Sequence, residues 1–317
     1  MAILDIILAA KRPIFSLEVL PPLKGAGMER LFETVDKLRE FDPKYINITT
    51  HRSEYVSRTE ADGAIYRRRV RRRPGTVAVA AALKHRYDLP VVPHVLCSGF
   101  TREETEYVLL DLQFLGITDL LLLRGDKAPH ENYFLPEMGG NAHTLQLQEQ
   151  VKRFNQGVFE DGLPLKEQMP SFRYGVACYP EGHSEATNED TDMVWLKRKV
   201  EAGAEYLVTQ MFFDNAVYFD FVRRAREAGI TIPIIPGIKP FGRLSQREAL
   251  PRLFNLTLPD EMLQGIDSCR TDADAADFGV AWSIQQCKEL LAGGAAGIHF
   301  YSMGVADGIR RIAQEIY

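Results

Sequence analysis

The feature that most constrains the fold of this 317-residue chain is a regular alternation of short apolar segments with longer helical patterns. Several of the apolar segments are hydrophobic at nearly every position, as in parallel strands that are covered on both faces. The patterns between them repeat apolar residues at spacings of three and four, which predicts helices with one buried face. The predicted strands are Ile14–Leu20, Tyr45–Thr49, Val91–Val95, Asp119–Leu123, Arg173–Cys178, Tyr206–Thr209, Ile232–Ile235 and Gly297–Tyr301.

Local signals also mark helix ends between these strands. Thr101 and Glu104 have the spacing of a capping box, and Gly116 stands where the following helix would end. Eight strands, most of them followed by a helix, predict an α/β fold of the TIM (β/α)8 barrel type, with an open doubly wound sheet as the alternative. No linker divides the chain, so we predict a single domain over residues 1–317, with a surface insertion at Asn155–Gln168.

Charge and cysteine content narrow the class of protein. A net charge of −5 gives no general attraction to nucleic acid or to an anionic membrane. The four cysteines form no C-x-x-C pair, which indicates reduced thiols and a cytoplasmic location. No apolar run reaches the ~18 residues of a membrane span, and the histidines lack metal-ligand spacing. We therefore predict a soluble cytoplasmic protein with no metal site and neither nucleic-acid nor membrane partners.

Polar residues recur at the ends of the predicted strands. In a closed barrel these ends meet at one rim, where the active sites of such folds lie. The residues placed there include Glu18 in strand one, Thr49 at the end of strand two, Arg124, Gly125 and Asp126 after strand four, Tyr179 and His183 after strand five, and Gln210 after strand six. Their convergence favours a site for chemistry over a set of unrelated turns.

Glu18 is the most informative of these residues. Its neighbours Leu17 and Val19 are apolar, so its carboxyl should be poorly solvated, with a raised pKa that suits a general acid. A carboxylate paired with a nearby arginine or lysine is equally compatible with the sequence. Both interpretations stay open at this point.

A second feature is the segment Arg67–Arg73, which holds six arginines interrupted by Val70. Charge runs of this kind are commonly solvated faces. The alternative is an anion-binding loop that reaches a phosphate or a polycarboxylate tail of a substrate. The chain also lacks a G-x-G-x-x-G segment after a strand, so a dinucleotide would not be held in Rossmann fashion.

Seven sequence blocks, in order, resemble those of the 5,10-methylenetetrahydrofolate reductase family. The first is Phe15–Pro22, which has the F-x-x-E-x-x-P-P pattern. The later ones are Leu123–Asp126, Tyr179–His183, Leu196–Ala204, Thr209–Asp214, Ile235–Ile238 and Gly297–Tyr301. A single block such as L-R-G-D is weak, but the ordered set is specific and spans nearly the whole chain.

The resemblance implies a TIM barrel that binds FAD without covalent attachment. It also implies ping-pong chemistry, in which NADH or NADPH reduces the flavin and leaves before methylenetetrahydrofolate enters and is reduced to 5-methyltetrahydrofolate. That product is the methyl source for methionine synthesis. The blocks match the catalytic domain alone, and the resemblance leaves open whether the chain forms a homo-oligomer.

Residue roles are carried over from the family to matching positions. Glu18 matches the general acid, and Asp126 matches an aspartate near the flavin ring and the pterin. Gln210 and Gln246 match glutamines that bind substrate, and for Gln246 the ligand is either the folate or the nicotinamide nucleotide. The positions that match FAD-binding residues are Thr49, His94, Arg124, Gly125, Asp126, Ala142, Tyr179, His183, Asp192 and Lys199.

Two other functions stay open. One is a pterin-binding barrel that transfers a methyl group to a corrinoid or a thiol and needs no flavin. The other is a folate or flavin carrier subunit without turnover, which the joint presence of Glu18, Asp126 and Gln210 disfavours.

Overall fold

A ring of parallel strands forms the centre of the molecule in a computed structural model, which describes residues 2–127, 131, 133–164 and 169–317. The strands are β1 (Ile14–Val19), β2 (Ile46–Ile48), β3 (Glu54–Thr59), β4 (Ile65–Val70), β5 (Val91–Leu96), β6 (Asp119–Leu123), β7 (Arg173–Cys178), β8 (Leu207–Thr209), β9 (Ile234–Ile235), β10 (Gly237–Ile238) and β11 (Gly297–Tyr301). The helices are α1 (Ile3–Ala9), α2 (Glu29–Leu38), α3 (Thr76–Tyr87), α4 (Arg102–Phe114), α5 (Thr144–Asn155), α6 (Glu189–Glu201), α7 (Asn215–Glu227), α8 (Gln246–Phe254), α9 (Asp260–Asp267), α10 (Asp272–Ala292) and α11 (Asp307–Ile316).

The ring closes as an eight-fold barrel. Its strands pair in parallel in the order β10-β11-β1-β2-β5-β6-β7-β8-β9. Only Pro236 separates β9 from β10, so the two short segments form one stave that pairs with β8 on one side and β11 on the other. Proline has no N–H to donate, which explains why the ladder is interrupted there. The predicted TIM-type barrel is confirmed, and the open doubly wound sheet is wrong.

The helix signals of the sequence are also confirmed. At the start of α4, the Thr101 hydroxyl accepts a hydrogen bond from the Glu104 N–H at 3.1 Å, while the Glu104 carboxylate accepts one from the Thr101 N–H at 2.9 Å. Gly116 has a φ of +63°, the left-handed conformation that ends the helix. Residues 165–168 of the predicted insertion Asn155–Gln168 lie outside the described residues.

The barrel is filled and closed at its N-terminal end. Ile3 and Ile7 of α1 are buried against Ile14, Tyr45 and other inward-facing residues. The Ile3 N–H donates to the Asp119 carboxylate at 2.9 Å, which fixes α1 across the floor of the barrel. Because the floor is apolar and covered, a ligand reaches the interior from the opposite, C-terminal rim.

The segment after β2 differs from the sequence prediction. Strands β3 and β4 form an antiparallel hairpin with nearly every residue exposed, and β4 holds the first half of the Arg67–Arg73 segment. Neither strand was predicted, because a hairpin exposed on both faces has no apolar alternation to reveal it. Within the described part of the chain, no helix is long and apolar enough to cross a membrane.

Candidate active site

Glu18 lies inside the barrel, one residue from the C-terminal end of β1. Only 9% of the residue is exposed, and its Oε2 atom lies 3.6 Å from Nε2 of His94 on β5. Burial raises the pKa of Glu18 to about 8. Burial also lowers the pKa of His94 to about 3, with His299 and His51 acting in the same direction. Both groups are therefore mainly uncharged at neutral pH, and the contact joins a carboxylic acid to a neutral imidazole.

This arrangement decides between the two interpretations of Glu18. His94 is the only ion-pair partner recorded for Glu18 among the described residues, so the alternative of an arginine or lysine partner is wrong. The expected rise in pKa is confirmed, and its cause is the desolvation that the apolar neighbours predicted. The other buried histidine, His299, shares a hydrogen bond of 2.9 Å between its Nδ1 atom and the Ser16 hydroxyl.

The backbone of Glu18 is held by the strand next to it. Its carbonyl accepts hydrogen bonds from the Ser302 hydroxyl at 2.6 Å and from the Ser302 N–H at 3.2 Å. Tyr301, which pairs with Glu18 across the two strands, donates its hydroxyl to the Thr209 carbonyl at 2.5 Å. Glu18 is therefore held by the strands of the barrel rather than by a loop.

A cluster of charged and aromatic side chains forms another part of the rim. Arg124 follows β6, Tyr179 and His183 follow β7, and Asp192 and Lys199 lie on α6. The Asp192 carboxylate accepts a hydrogen bond from the His183 N–H at 3.1 Å, and the rings of Tyr179 and His183 lie 4.7 Å apart. Burial, aided by Arg124, lowers the pKa of His183. These five residues, predicted separately, are brought together.

Two cations of the cluster, Lys199 and Arg124, are available to bind a ligand. Burial lowers the pKa of Lys199, with Asp192 opposing this effect. Arg124 donates to the Glu185 carboxylate at 2.5 Å and stacks 4.8 Å from the centre of the Phe134 ring, but its buried Nε has no hydrogen-bond partner. A buried guanidinium N–H without a partner is costly, so the site favours an anion or another acceptor.

Gly125 and Asp126 shape the mouth beside this cluster. Gly125 has a φ of +81°, and a Cβ atom there would lie 2.8 Å from Cβ of Ser98. Only glycine therefore fits this turn without strain. Asp126 is exposed, and its negative charge acts to raise the pKa values of both Tyr179 and His51.

The remaining predicted site residues have local contacts. Thr49 follows β2, with its hydroxyl 3.4 Å from the Val19 carbonyl, and Gln210 follows β8, with its side-chain oxygen accepting from the Met211 N–H at 2.9 Å. The Ala142 N–H donates to Gln146 at 2.7 Å at the start of α5. The side-chain oxygen of Gln246 accepts from the N–H groups of Gly242 at 2.8 Å and Arg243 at 3.1 Å, so this oxygen caps its own loop.

Two residues at the mouth were not among the predicted site residues. His51 has its pKa lowered by burial and by Arg73, and Asp126 opposes this shift. Arg73 is partly buried and donates a hydrogen bond to the Pro21 carbonyl, just after β1. Arg73 belongs to the Arg67–Arg73 segment, and nothing in the sequence sets it apart from the other arginines there.

The fold and the site define a (β/α)8 barrel protein with a buried acid and a cationic cluster at the C-terminal rim. The profile of the family described as methylenetetrahydrofolate reductase matches residues 3–317. The chain therefore belongs to the methylenetetrahydrofolate reductase family, as its sequence blocks predicted.

Individual relatives agree with this assignment. The 5,10-methylenetetrahydrofolate reductase of Escherichia coli K12 is 29% identical over 293 residues, which cover 92% of this chain and 86% of that protein. Methylenetetrahydrofolate reductase (NADH) 1 of Zea mays is 28% identical over 304 residues, covering 93% of this chain. The match covers only 46% of the maize protein, so the chain spans about half the length of such relatives.

A solved structure shows the same fold. It is a protein from Clostridium thermocellum that binds two copies of 5-methyl-5,6,7,8-tetrahydrofolic acid. The TM-score is 0.59, and the match covers 98% of this chain and 96% of that one. At 14% identity, this likeness supports the barrel architecture alone.

Proposed function

We propose that the chain reduces 5,10-methylenetetrahydrofolate to 5-methyltetrahydrofolate with electrons from NADH or NADPH, by a ping-pong mechanism with bound FAD. The family assignment supports this reaction, and the relatives whose names specify NADH or NADPH support a nicotinamide nucleotide as the electron donor. The observation that carries the proposal is the buried, protonated carboxyl group of Glu18 at the mouth of the barrel.

The reaction needs a proton donor at neutral pH. Conversion of the methylene group to a methyl group adds a hydride to the one-carbon unit, and the nitrogen that loses its bond to that unit takes up a proton. Glu18 is the proposed source of this proton, which opens the five-membered ring of the substrate to the iminium form that accepts hydride. With a pKa of about 8 it is about 90% protonated at pH 7, whereas a carboxyl at 4.5 would be well below 1%.

The same environment returns Glu18 to its acidic form. Once the proton has left, the carboxylate is buried beside a neutral imidazole and has no recorded cation to stabilise it. A buried carboxylate of this kind takes up a proton readily. His94 does not offset the charge of that carboxylate, because its low pKa keeps the imidazole neutral.

The residues of the rim fit a flavin dinucleotide. Arg124, with its unpartnered Nε, and the half-buried Lys199 are suited to the pyrophosphate, and Gly125 lets a ligand approach the backbone closely. His143 and Trp195 stack with rings 6.3 Å apart beside Ala142, a surface suited to an adenine ring. When bound, FAD would supply hydride transfer between the nucleotide and the folate.

The remaining residues orient the substrate and tune the site. Gln210, at the end of β8, can turn its amide group toward a pterin. The side-chain oxygen of Gln246 caps its own loop, so its amide nitrogen is the group left to contact a ligand. Asp126 adds a negative charge near Tyr179, where it would disfavour an anionic reduced flavin.

The proposal is tested by anaerobic mixing of the purified protein, saturated with FAD, with each nucleotide and then with methylenetetrahydrofolate. We expect bleaching of the flavin by NADH or NADPH, recovery of its absorbance on addition of the folate, and formation of 5-methyltetrahydrofolate in equal amount. A protein that takes up no flavin, or that is bleached but never reoxidised by the folate, would contradict the proposal. Methyl transfer to a corrinoid or a thiol without flavin would favour the methyltransferase alternative.

A further inference from the structure

The hairpin of β3 and β4 is anchored to the rim of the barrel on two sides. Arg69 donates to the Gly99 carbonyl at 2.6 Å and to the Glu104 carboxylate at 3.3 Å, both beyond the end of β5. Arg73 donates to the Pro21 carbonyl, and the Arg72 carbonyl accepts from the Lys24 N–H at 2.7 Å, both beyond the end of β1. The hairpin therefore stands over the stretch of rim between Glu18 and the Gly99 loop.

The arginines of this hairpin are sorted between its two faces. In the antiparallel register, Tyr55 lies opposite Arg69 and Ser57 opposite Arg67, so these residues share one face. Because Arg69 reaches the barrel from that face, it is the face turned toward the rim. Arg68 lies on the other face, opposite Val56.

Among the described residues, Arg67, Arg71 and Arg73 have no carboxylate partner, whereas Arg69 on the same side pairs with Glu104. Residues 54–73 carry seven arginines and three acidic side chains, in a chain whose net charge is −5. Among the described residues, Arg67 is recorded only in a cation–π contact with Tyr55 at 4.3 Å, and Arg73 only in its hydrogen bond to a carbonyl. Arg71 extends over Gly75 at the start of α3, a helix with no acidic residue in its first turn.

These cations lie at the same mouth as the proposed chemistry. Arg73 acts on the pKa of His51, and so does Asp126. A substrate whose pterin lies near Glu18 would leave its other end at the rim, within reach of the hairpin. That other end of a folate is a glutamate, which can be extended by further glutamates joined through amide bonds.

We propose that the rim-facing side of the hairpin, formed by Arg67, Arg71 and Arg73, binds the oligoglutamate tail of the folate substrate. This inference rests on the proposed function. The three cations are spread along about seven residues of chain, which suits carboxylates repeated along a flexible tail. A single phosphate is bound more often by donors that converge on one point, such as a glycine-rich loop.

The test compares the affinities of the FAD-loaded protein for 5-methyltetrahydrofolate with one glutamate and with three, by isothermal titration calorimetry at low ionic strength. Exposed ion pairs each contribute about 1.4- to 5-fold in affinity, so we expect the triglutamate to bind about tenfold more tightly. This advantage should shrink as salt is added, because the charges are exposed. Arg67→Gln/Arg71→Gln should reduce the advantage to about twofold.

The hairpin supplies its own matched control. Arg58→Gln/Arg68→Gln removes the same charge from the same hairpin, but from the face that points away from the rim. This variant should keep the full advantage of the triglutamate. Loss of the advantage in both variants would show a diffuse charge effect and overturn the proposed site.

Other results would overturn the inference in separate ways. Equal affinity of the wild type for the two folates would remove the tail site and leave the proposed function standing, whereas no binding of either folate would refute the proposed function itself. A rise in the KM for NADPH but not NADH in Arg67→Gln/Arg71→Gln, with the folate ratio unchanged, would assign the arginines to the nucleotide phosphate. If Arg67→Gln/Arg71→Gln changes the sedimentation coefficient but not the ratio of affinities for the two folates, the hairpin is instead a contact between copies of the chain.

Discussion

Replacement of Glu18 by a residue that cannot ionise should stabilise the protein at neutral pH, although Glu18 is proposed to be essential for turnover. Glu18→Gln keeps the size and polarity of the buried acid but cannot ionise. The pKa of Glu18 is raised by burial from 4.5 to about 8 in the folded protein. The folded state therefore holds its proton more tightly than the unfolded state, and the contribution of Glu18 to stability is complete below pH 4.5 and lost as the pH rises toward 8.

The magnitude follows from this difference in pKa. Each pH unit between the two pKa values costs the wild type about 1.4 kcal/mol, which amounts to roughly 3 kcal/mol at pH 7. Glu18→Gln does not lose this stability, because the glutamine side chain does not ionise. We expect the free energy of unfolding of the variant to exceed that of the wild type by an amount that grows from about 1 kcal/mol at pH 5 to roughly 3 kcal/mol at pH 7.

Urea unfolding at several pH values between 5 and 8.5, with FAD at one fixed concentration, measures this difference. Subtraction of the wild-type curve from the variant curve cancels the titration of the other groups, because both proteins contain them. A difference that does not change with pH, or one that falls as the pH rises, would refute the claim that Glu18 is buried as a neutral acid.

Three further variants test the rim. Gly125→Ala should destabilise the fold by about 1–3 kcal/mol, measured by urea unfolding, because its φ is +81° and its Cβ would meet Ser98; an unchanged stability would contradict the geometry. Lys199→Gln should weaken FAD binding by tenfold or more in a fluorescence titration, whereas Lys197→Gln, an exposed control on the same helix, should not. Asp126→Asn should raise the reduction potential of bound flavin, and an unchanged potential would remove Asp126 from the flavin site.

The barrel could be predicted from the sequence because its strands are covered on both faces. Asp119–Leu123 and Arg173–Cys178 have the predicted bounds, since continuous apolar runs bounded by turns leave little choice of register. The division of one barrel strand into β9 and β10 at Pro236 could not be predicted from the sequence. It depends on the pairing of β9 with β8 and of β10 with β11. The hairpin was missed because exposed strands keep no hydrophobic period.

The sequence indicates which residues lie at the candidate site, but it does not indicate which groups surround each of them. Position at a strand end was enough to select Glu18 or Arg124. The raised pKa of Glu18 follows from its burial in the folded barrel, where the side chain lying against it, His94 on β5, is 76 residues away in sequence. For Gln246, the sequence could not reveal that the side-chain oxygen is used to cap its own loop.

The proposed role of Glu18 as the proton donor to the folate is tested by following the two half-reactions of Glu18→Gln separately, with anaerobic stopped-flow absorbance. We predict that reduction of the flavin by NADH or NADPH stays within about threefold of the wild type, while its reoxidation by methylenetetrahydrofolate slows by about 100-fold or more, the usual effect of losing a general acid. Equal loss of both half-reactions, or reoxidation at the wild-type rate, would contradict the assignment of Glu18 as the acid.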